Sequence, residues 1–148
     1  MTGRRIYLAS SWRNTFQPEM VKLLRGAGHA VYDFRNPAPG DCGFHWSAID
    51  PAWEQWSTVH YARAIETHPL AREGFAKDIN ALDWCDTCVL LQPCGISANL
   101  ELGYAAGRGK TTIVRLNGDR FEPELMYLMV NHRVCTDDEL IEILARPA

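Results

Sequence analysis

The chain has no apolar run approaching the roughly 18 to 20 residues of a membrane span, and its start, Met-Thr-Gly-Arg-Arg-Ile, leads straight into strand-forming residues instead of a signal-peptide apolar region. It also lacks a basic excess. Fifteen Lys and Arg against eighteen Asp and Glu leave a formal charge of -3 with both signs interspersed, which excludes the basic stripe of a nucleic-acid-polymer binder but allows a nucleotide-sized ligand. A disulfide framework is missing too: Cys42, Cys85, Cys88, Cys94 and Cys135 are odd in number and scattered, a usage that fits a reducing compartment. Cys85 and Cys88 have the spacing of a metal knuckle, yet no second such pair follows, so small apolar residues at a helix-to-strand junction is the favoured reading and no metal or cofactor is expected. Internal repeats, low-complexity stretches and linkers are absent. These exclusions lead to a soluble, cytoplasmic protein with no membrane or nucleic-acid partner.

What is present is enough apolar content, 47% of 148 residues, for one well-packed domain over 1–148 and too little length for two. Apolar periodicity predicts a strand at 4–9, a helix through Phe16, Met20, Leu23 and Leu24 that ends at Gly26 and Gly28, and a second strand at 29–34. The pattern then dissolves over about 35–57 into an insertion rich in aromatics, including Phe44, His45, Trp46, Trp53 and Trp56. Asp50-Pro51 predicts a short helix at 52–56, Thr58 caps one at 59–66, and Pro69 opens a longer helix carrying Leu70, Phe75, Ile79 and Leu82, with Asp78 off that stripe. A third strand at 86–92 is broken by Pro93 and Gly95, and Ser97 or Asn99 is the expected cap of the next helix. A fourth strand at 111–116, a short helix at 122–130, a fifth strand at 133–135 and a capping box at 136–139 opening a last helix complete the chain.

Alternating strands and helices specify an α/β fold, a doubly wound sheet of four to five parallel strands flanked by helices, with the first strand between its neighbours. In such sheets ligands bind outside the carboxyl ends of the strands, where the loops after strands one and three flank a crevice. Three groups converge on that crevice if the topology holds: Tyr7 with the loop from Ser10 through Trp12 and Arg13 to Asn14, Asp78, and Glu101, an acid inside an otherwise apolar helical turn. Two carboxylates and a phenol suit glycosidic chemistry, in which one carboxylate attacks the anomeric carbon and a second carboxyl group handles the proton of the leaving group. Their 23-residue separation in sequence makes any meeting of Asp78 and Glu101 dependent on the fold.

Three further segments carry a resemblance. Ile6-Tyr7-Leu8-Ala9 in the first strand, Asp78 followed by Leu82 and Asp86, and Leu100-Glu101-Leu102-Gly103-Tyr104-Ala105 followed by Gly109-Lys110 resemble the nucleoside 2-deoxyribosyltransferase family, which includes nucleotide N-glycosidases. The resemblance spans the sheet and is weakest across the aromatic insertion. It implies a flavodoxin-like fold, a nucleophilic glutamate at Glu101, a proton donor or positioning acid at Asp78, a tyrosine at Tyr7 that orients the nucleophile, a nucleoside or nucleotide substrate, and a homodimer or higher homo-oligomer. Relatives usually carry Ser-Gly-Thr or Ser-x-Gly shortly before the glutamate, where this chain has Gly95-Ile96-Ser97-Ala98-Asn99. The same elements resemble, more distantly, the Toll/interleukin-receptor domain, whose catalytic members cleave NAD.

Each candidate has a plainer reading. Glu101 could simply interact favourably with the N-terminal helix dipole, Asp78 could lie on a solvated face beside Lys77, and Tyr7 could be core. Ser10, Trp12, Arg13, Asn14, Gly95, Ser97 and Asn99 are candidate sugar or phosphate contacts, with ordinary capping by Ser11 or Asn14 as the alternative for the first loop. His45 and Trp46 could stack on a base or belong to a folded aromatic cluster. Gly107 and Gly109 mark a helix exit and not a phosphate loop. A non-catalytic nucleotide-binding or protein-interaction module therefore stands beside the enzyme as a reading.

Overall fold

A computed structural model describes residues 3–118, 121 and 123–147. These group into two compact units, Met1–Asp33 with Trp84–Ala148, and Phe34–Asp83.

The first unit holds a five-stranded parallel sheet: β1 Arg5–Ala9, β2 Ala30–Tyr32, β3 Thr87–Leu91, β4 Thr111–Arg115 and β5 His132–Val134, in the order β2-β1-β3-β4-β5. This is the flavodoxin-like order of a doubly wound sheet, with its switch point between β1 and β3. The first strand does lie between neighbours, as right-handed crossovers require. The central strands read as continuous apolar runs because both of their faces are covered. One face carries Ile6, Leu8, Val89, Leu91 and Ile113 against Met20, Val21 and Leu24 of helix α1 (Gln17–Gly26) and Leu140 and Leu144 of helix α5 (Asp137–Ala145). Strand alternation turns Tyr7, Cys88, Leu90 and Val114 to the other face, where helix α4 (Ile96–Gly107) lies along β1, β3 and β4 with Ala98, Leu102 and Ala105 buried.

Both ends of α5 are satisfied by specific partners. The predicted capping box is present: the Glu139 N–H donates to Thr136 Oγ1 at 3.1 Å, and Glu139 Oε2 accepts from the Thr136 N–H at 3.2 Å. At the other end the Arg4 guanidinium donates to the carbonyls of Leu144 at 3.0 Å and Arg146 at 2.7 Å, filling acceptors that a helix end leaves open.

The second unit contains helix α2 (Thr58–Thr67), most of helix α3 (Pro69–Trp84) and two single-turn 3-10 helices, Trp46–Ala48 and Trp53–Gln55. Its interior is aromatic. Trp46 meets Phe44, Trp56 and Tyr61 edge to face at 4.9, 6.0 and 5.9 Å between ring centroids, and His60 stacks on Trp56 at 4.7 Å. The Trp56 indole N–H donates to Asp50 Oδ2 at 2.7 Å. Gly74 makes room for Phe44, since a Cβ there would come within 3.1 Å of that ring.

Several element boundaries differ from expectation for local reasons. β2 stops at Tyr32, because Asp33 turns inward to a partner on α1. Helix α2 is capped by Ser57, whose Oγ accepts the His60 N–H at 3.1 Å, and not by Thr58. The helix expected at 52–56 shortens to the turn Trp53–Gln55. The one expected at 122–130 is a 3-10 segment, Leu125–Met129, while its expected first residue, Glu122, lies outside the described residues. Helix α4 starts earlier than a cap at Ser97 or Asn99 predicts: Gly95 takes the N-cap position, and the Asn99 side chain bonds back to the Gly95 carbonyl at 3.0 Å from inside the helix.

Candidate active site

The carboxyl ends of β1 and β3 lie side by side, paired from Ile6 with Thr87 to Ala9 with Leu90. The loop after β1 and the loop after β3 therefore start from adjacent points. Their junction is a polar brace built on Asn14, which is 1% exposed. Its Nδ2 donates to Ser10 Oγ at 2.9 Å and approaches the carbonyls of Leu91 at 3.3 Å and Pro93 at 3.1 Å, while its Oδ1 accepts the Phe16 N–H at 2.8 Å. Ser10 Oγ in turn donates to the Leu91 carbonyl at 2.9 Å. Both functions of the Asn14 amide are thus engaged inside the protein. Trp12 and Arg13, between these two anchors, are exposed, and the Arg13 N–H donates to Ser11 Oγ at 3.2 Å.

Tyr7 is fully buried in β1 and stacks on Tyr32 of β2 with ring centroids 5.2 Å apart. Its strand partner in β3 is Cys88, on the same sheet face. Burial pushes the Cys88 thiol well above its ordinary range, with a smaller upward push from the negative charge of Glu101. Cys94, in the loop between β3 and α4, is raised to about 11, by burial first and by Glu101 last, against an opposing hydrogen bond from Asn99. Glu101 is half-buried on α4, in the second turn after the Gly95 cap, and its field reaches both thiols. Tyr7 and Glu101 consequently belong to the same side of the sheet, the side that α4 covers.

Around Gly95 the structure shows more order than the sequence signals. Asn99 donates from Nδ2 to the Gly95 carbonyl and accepts from the Tyr127 hydroxyl at 2.8 Å. Gln92, the residue that follows β3 and is almost fully buried, lies close enough to the Tyr127 hydroxyl to influence its titration. Gly95 and Ser97 are exposed at the start of α4. Tyr127 and Gln92 are site neighbours that the sequence reading does not name. Tyr127 lies 28 positions from Asn99 on a five-residue 3-10 turn, a separation that no spacing rule covers.

The remaining candidates belong to the other unit. Asp78 is half-buried on α3, next to Lys77, whose Nζ binds Asp41 at 2.7 Å and Glu73 at 3.1 Å. His45 is exposed, and Trp46 is half-buried in the aromatic cluster described above. No group of His, Cys, Asp and Glu among the described residues has the arrangement of a metal site. No helix among them is long and apolar enough to cross a membrane.

No protein-family model and no curated protein sequence matches the chain. Among solved structures, the chain resembles a 2-deoxyribosyltransferase of Bacillus psychrosaccharolyticus, described as a biocatalyst for nucleoside synthesis. The TM-score is 0.61 at 16% identity, covering 92% of this chain and 89% of that one. The CMP N-glycosidase BcmB of Clostridium botulinum is similar at TM-score 0.49 and 16% identity, over 95% and 98% of the two chains. The fold is that of the 2-deoxyribosyltransferase: a parallel five-stranded α/β sheet flanked by helices, flavodoxin-like in its strand order.

Proposed function

We propose that the protein is an enzyme that cleaves or transfers the N-glycosidic bond of a nucleoside or nucleotide. The observation that carries this reading is the position of Glu101: half-buried in the second turn of α4, on the sheet face shared with Tyr7, in a fold like that of a 2-deoxyribosyltransferase. The two compact units would act as a single catalytic domain over 1–148. Five cysteines that are all free thiols suit the cytoplasm.

In this reading Glu101 is the nucleophile. One of its carboxylate oxygens bonds to the anomeric carbon as the bond from that carbon to the base nitrogen breaks, giving a glycosyl ester. Asp78 delivers the proton that the leaving base takes up, and later receives one from the water or second base that opens the ester. Tyr7 orients Glu101. Ser10 and Asn14 hold the loop that presents Trp12 and Arg13 to the sugar or phosphate, and Gly95, Ser97 and Asn99 line the opposite rim. His45 and Trp46 are the base-side contacts. A homodimer or higher homo-oligomer completes the reading.

The test is base release from a small library of ribo- and deoxyribonucleosides, their monophosphates and NAD, with and without an acceptor base. Release from a nucleoside or nucleotide, lost in Glu101→Gln and accompanied by a sugar-sized mass increment on the wild-type chain, is the expected result. Turnover by Glu101→Gln equal to wild type sinks the assignment. Consumption of NAD alone points to the NAD-cleaving relative, and binding without any turnover points to a sensor module.

A further inference from the structure

The segment after β4 reaches across to the start of α4. Tyr127 is half-buried on the 3-10 segment Leu125–Met129, and its hydroxyl donates to Asn99 Oδ1 at 2.8 Å. The other end of the same amide, Asn99 Nδ2, donates to the Gly95 carbonyl at 3.0 Å and to Cys94 Sγ at 3.7 Å. Asn99 thus links a phenol from one loop to two residues of another. An exposed asparagine inside a helix gains little by folding back on a carbonyl four residues earlier, because water competes for both ends of its amide. A donor already fixed at Oδ1 holds the side chain in that pose.

The phenol sits on a well-anchored turn. The Arg133 guanidinium, from β5, donates to the carbonyls of Tyr127 at 2.8 Å and Val130 at 3.0 Å. Glu124 accepts the Met126 N–H at 2.8 Å and so caps the turn. Asn131 exchanges hydrogen bonds with Thr112 of β4, its Oδ1 accepting the Thr112 N–H at 2.8 Å and its own N–H donating to Thr112 Oγ1 at 3.2 Å. With the turn rooted on β4 and β5, the bond from Tyr127 to Asn99 carries no cost of ordering a loose loop.

What the link holds is the connection from β3 to α4, residues 92–95. Its near end is held from the opposite side, where Asn14 reaches the carbonyls of Leu91 and Pro93 and the Gln92 N–H donates to the Arg115 carbonyl at 3.1 Å. At its far end Gly95 brings no side chain to the N-cap position of α4, and the Asn99 amide supplies a bond there instead. Glu101 has a separate anchorage. It rides on a helix whose Ala98, Leu102 and Ala105 are buried, and that packing survives loss of one hydroxyl on Tyr127.

We propose that Tyr127 is a positioning residue for substrate binding: acting through Asn99, it holds the 92–95 loop in the geometry that grips the substrate. The inference rests on the glycosidic reading for the class of substrate. It differs from a plain stabilising role in what it moves, which is affinity for the substrate and not the chemical step at Glu101.

Tyr127→Phe deletes only the hydroxyl and is the test. On a nucleoside or monophosphate that the wild type cleaves, KM should rise about tenfold while kcat changes less than about threefold. In an Asn99→Ala background the same Tyr127→Phe change should have no further effect, since the chain of bonds is already broken. Amide hydrogen exchange of the unliganded protein should speed up over residues 94–99 in Tyr127→Phe, with β1, β3 and α5 protected as in wild type. Unchanged exchange over 94–99 overturns the proposal, as does a fall in kcat at constant KM or an equal effect of Tyr127→Phe with and without Asn99. A wild type that releases no base from any nucleoside, monophosphate or NAD sinks the glycosidic reading on its own. Dissociation constants of the same monophosphates, from isothermal titration, then take the place of KM: a rise of about tenfold in Tyr127→Phe supports the positioning role, and equal constants or no binding overturn it.

Discussion

Asn14 and Pro93 are 79 residues apart in sequence, and the Asn14 side-chain amide donates to the Pro93 carbonyl at 3.1 Å. That bond, with those to Ser10 and Leu91, joins the loop leaving β1 to the loop leaving β3. It converts two adjacent chain ends into one rigid rim beside α4. A rim of this kind is what a sugar-binding site needs if the ligand is to meet the carboxylate in a fixed geometry.

Asn14→Ala should lower stability by about 1 to 3 kcal/mol, since the Pro93 carbonyl loses the amide donor, the Leu91 carbonyl keeps only Ser10 and the Phe16 N–H loses its acceptor. Asn14→Asp should be at least as damaging, because a carboxylate cannot donate to the Leu91 and Pro93 carbonyls. Urea unfolding of the two variants against wild type measures this, and a change within about 0.5 kcal/mol would show that the brace is dispensable.

Glu101→Gln keeps the shape and removes the charge. With Glu101 as the proposed nucleophile, turnover on a nucleoside or nucleotide substrate should fall by at least about 10³-fold. Folding should change little, and the Cys94 thiol should titrate slightly lower once a negative charge beside it is gone. Single-turnover kinetics together with thermal melting separate loss of chemistry from loss of fold.

Buried thiols set an alkaline limit. Cys85 and Cys88 are pushed upward by burial, and Cys94 to about 11. The folded state therefore holds these protons more tightly than the unfolded chain, and stability is fully present below the unfolded value of roughly 8.5 to 9. It should decline as pH rises from about 9 toward 11, because there the unfolded state binds fewer protons. Urea midpoints across this window for wild type and Cys94→Ala should show a shallower decline in the variant. Alkylation at pH 8 should likewise modify the exposed Cys42 and Cys135 well before Cys94.

A buried pair fixes the end of β2. Gln17, fully buried on the first turn of α1, donates from Nε2 to Asp33 Oδ1 at 2.8 Å, and Asp33 is itself buried. Gln17→Leu keeps the volume but strips a donor from a buried carboxylate, and should cost about 1 to 3 kcal/mol. The double variant Gln17→Leu with Asp33→Asn should be less destabilised than the sum of the two single changes, a coupling that a double-mutant cycle reads directly.

The order of elements, the parallel sheet, the central place of β1 and the capping box of α5 were legible in the sequence, because each follows from local periodicity, from cap chemistry or from the handedness of a crossover. So was Glu101 as an acid in the wrong company, since Leu100 and Leu102 flank it in the chain itself. The company it keeps in space was not. The Asn14 brace and the Tyr127 to Asn99 bond join residues whose separation leaves no trace in any window of sequence. The boundary shifts have the same origin, for Asp33 leaves the sheet to meet Gln17 and Asn99 enters α4 because Gly95 and Tyr127 hold its side chain. Nor could apolar content alone tell that Ile96 and Leu100 face outward while Ala98 and Leu102 face in. Local propensity determined what this chain forms; which side each element turns to the others was decided only when the sheet brought its loop ends together.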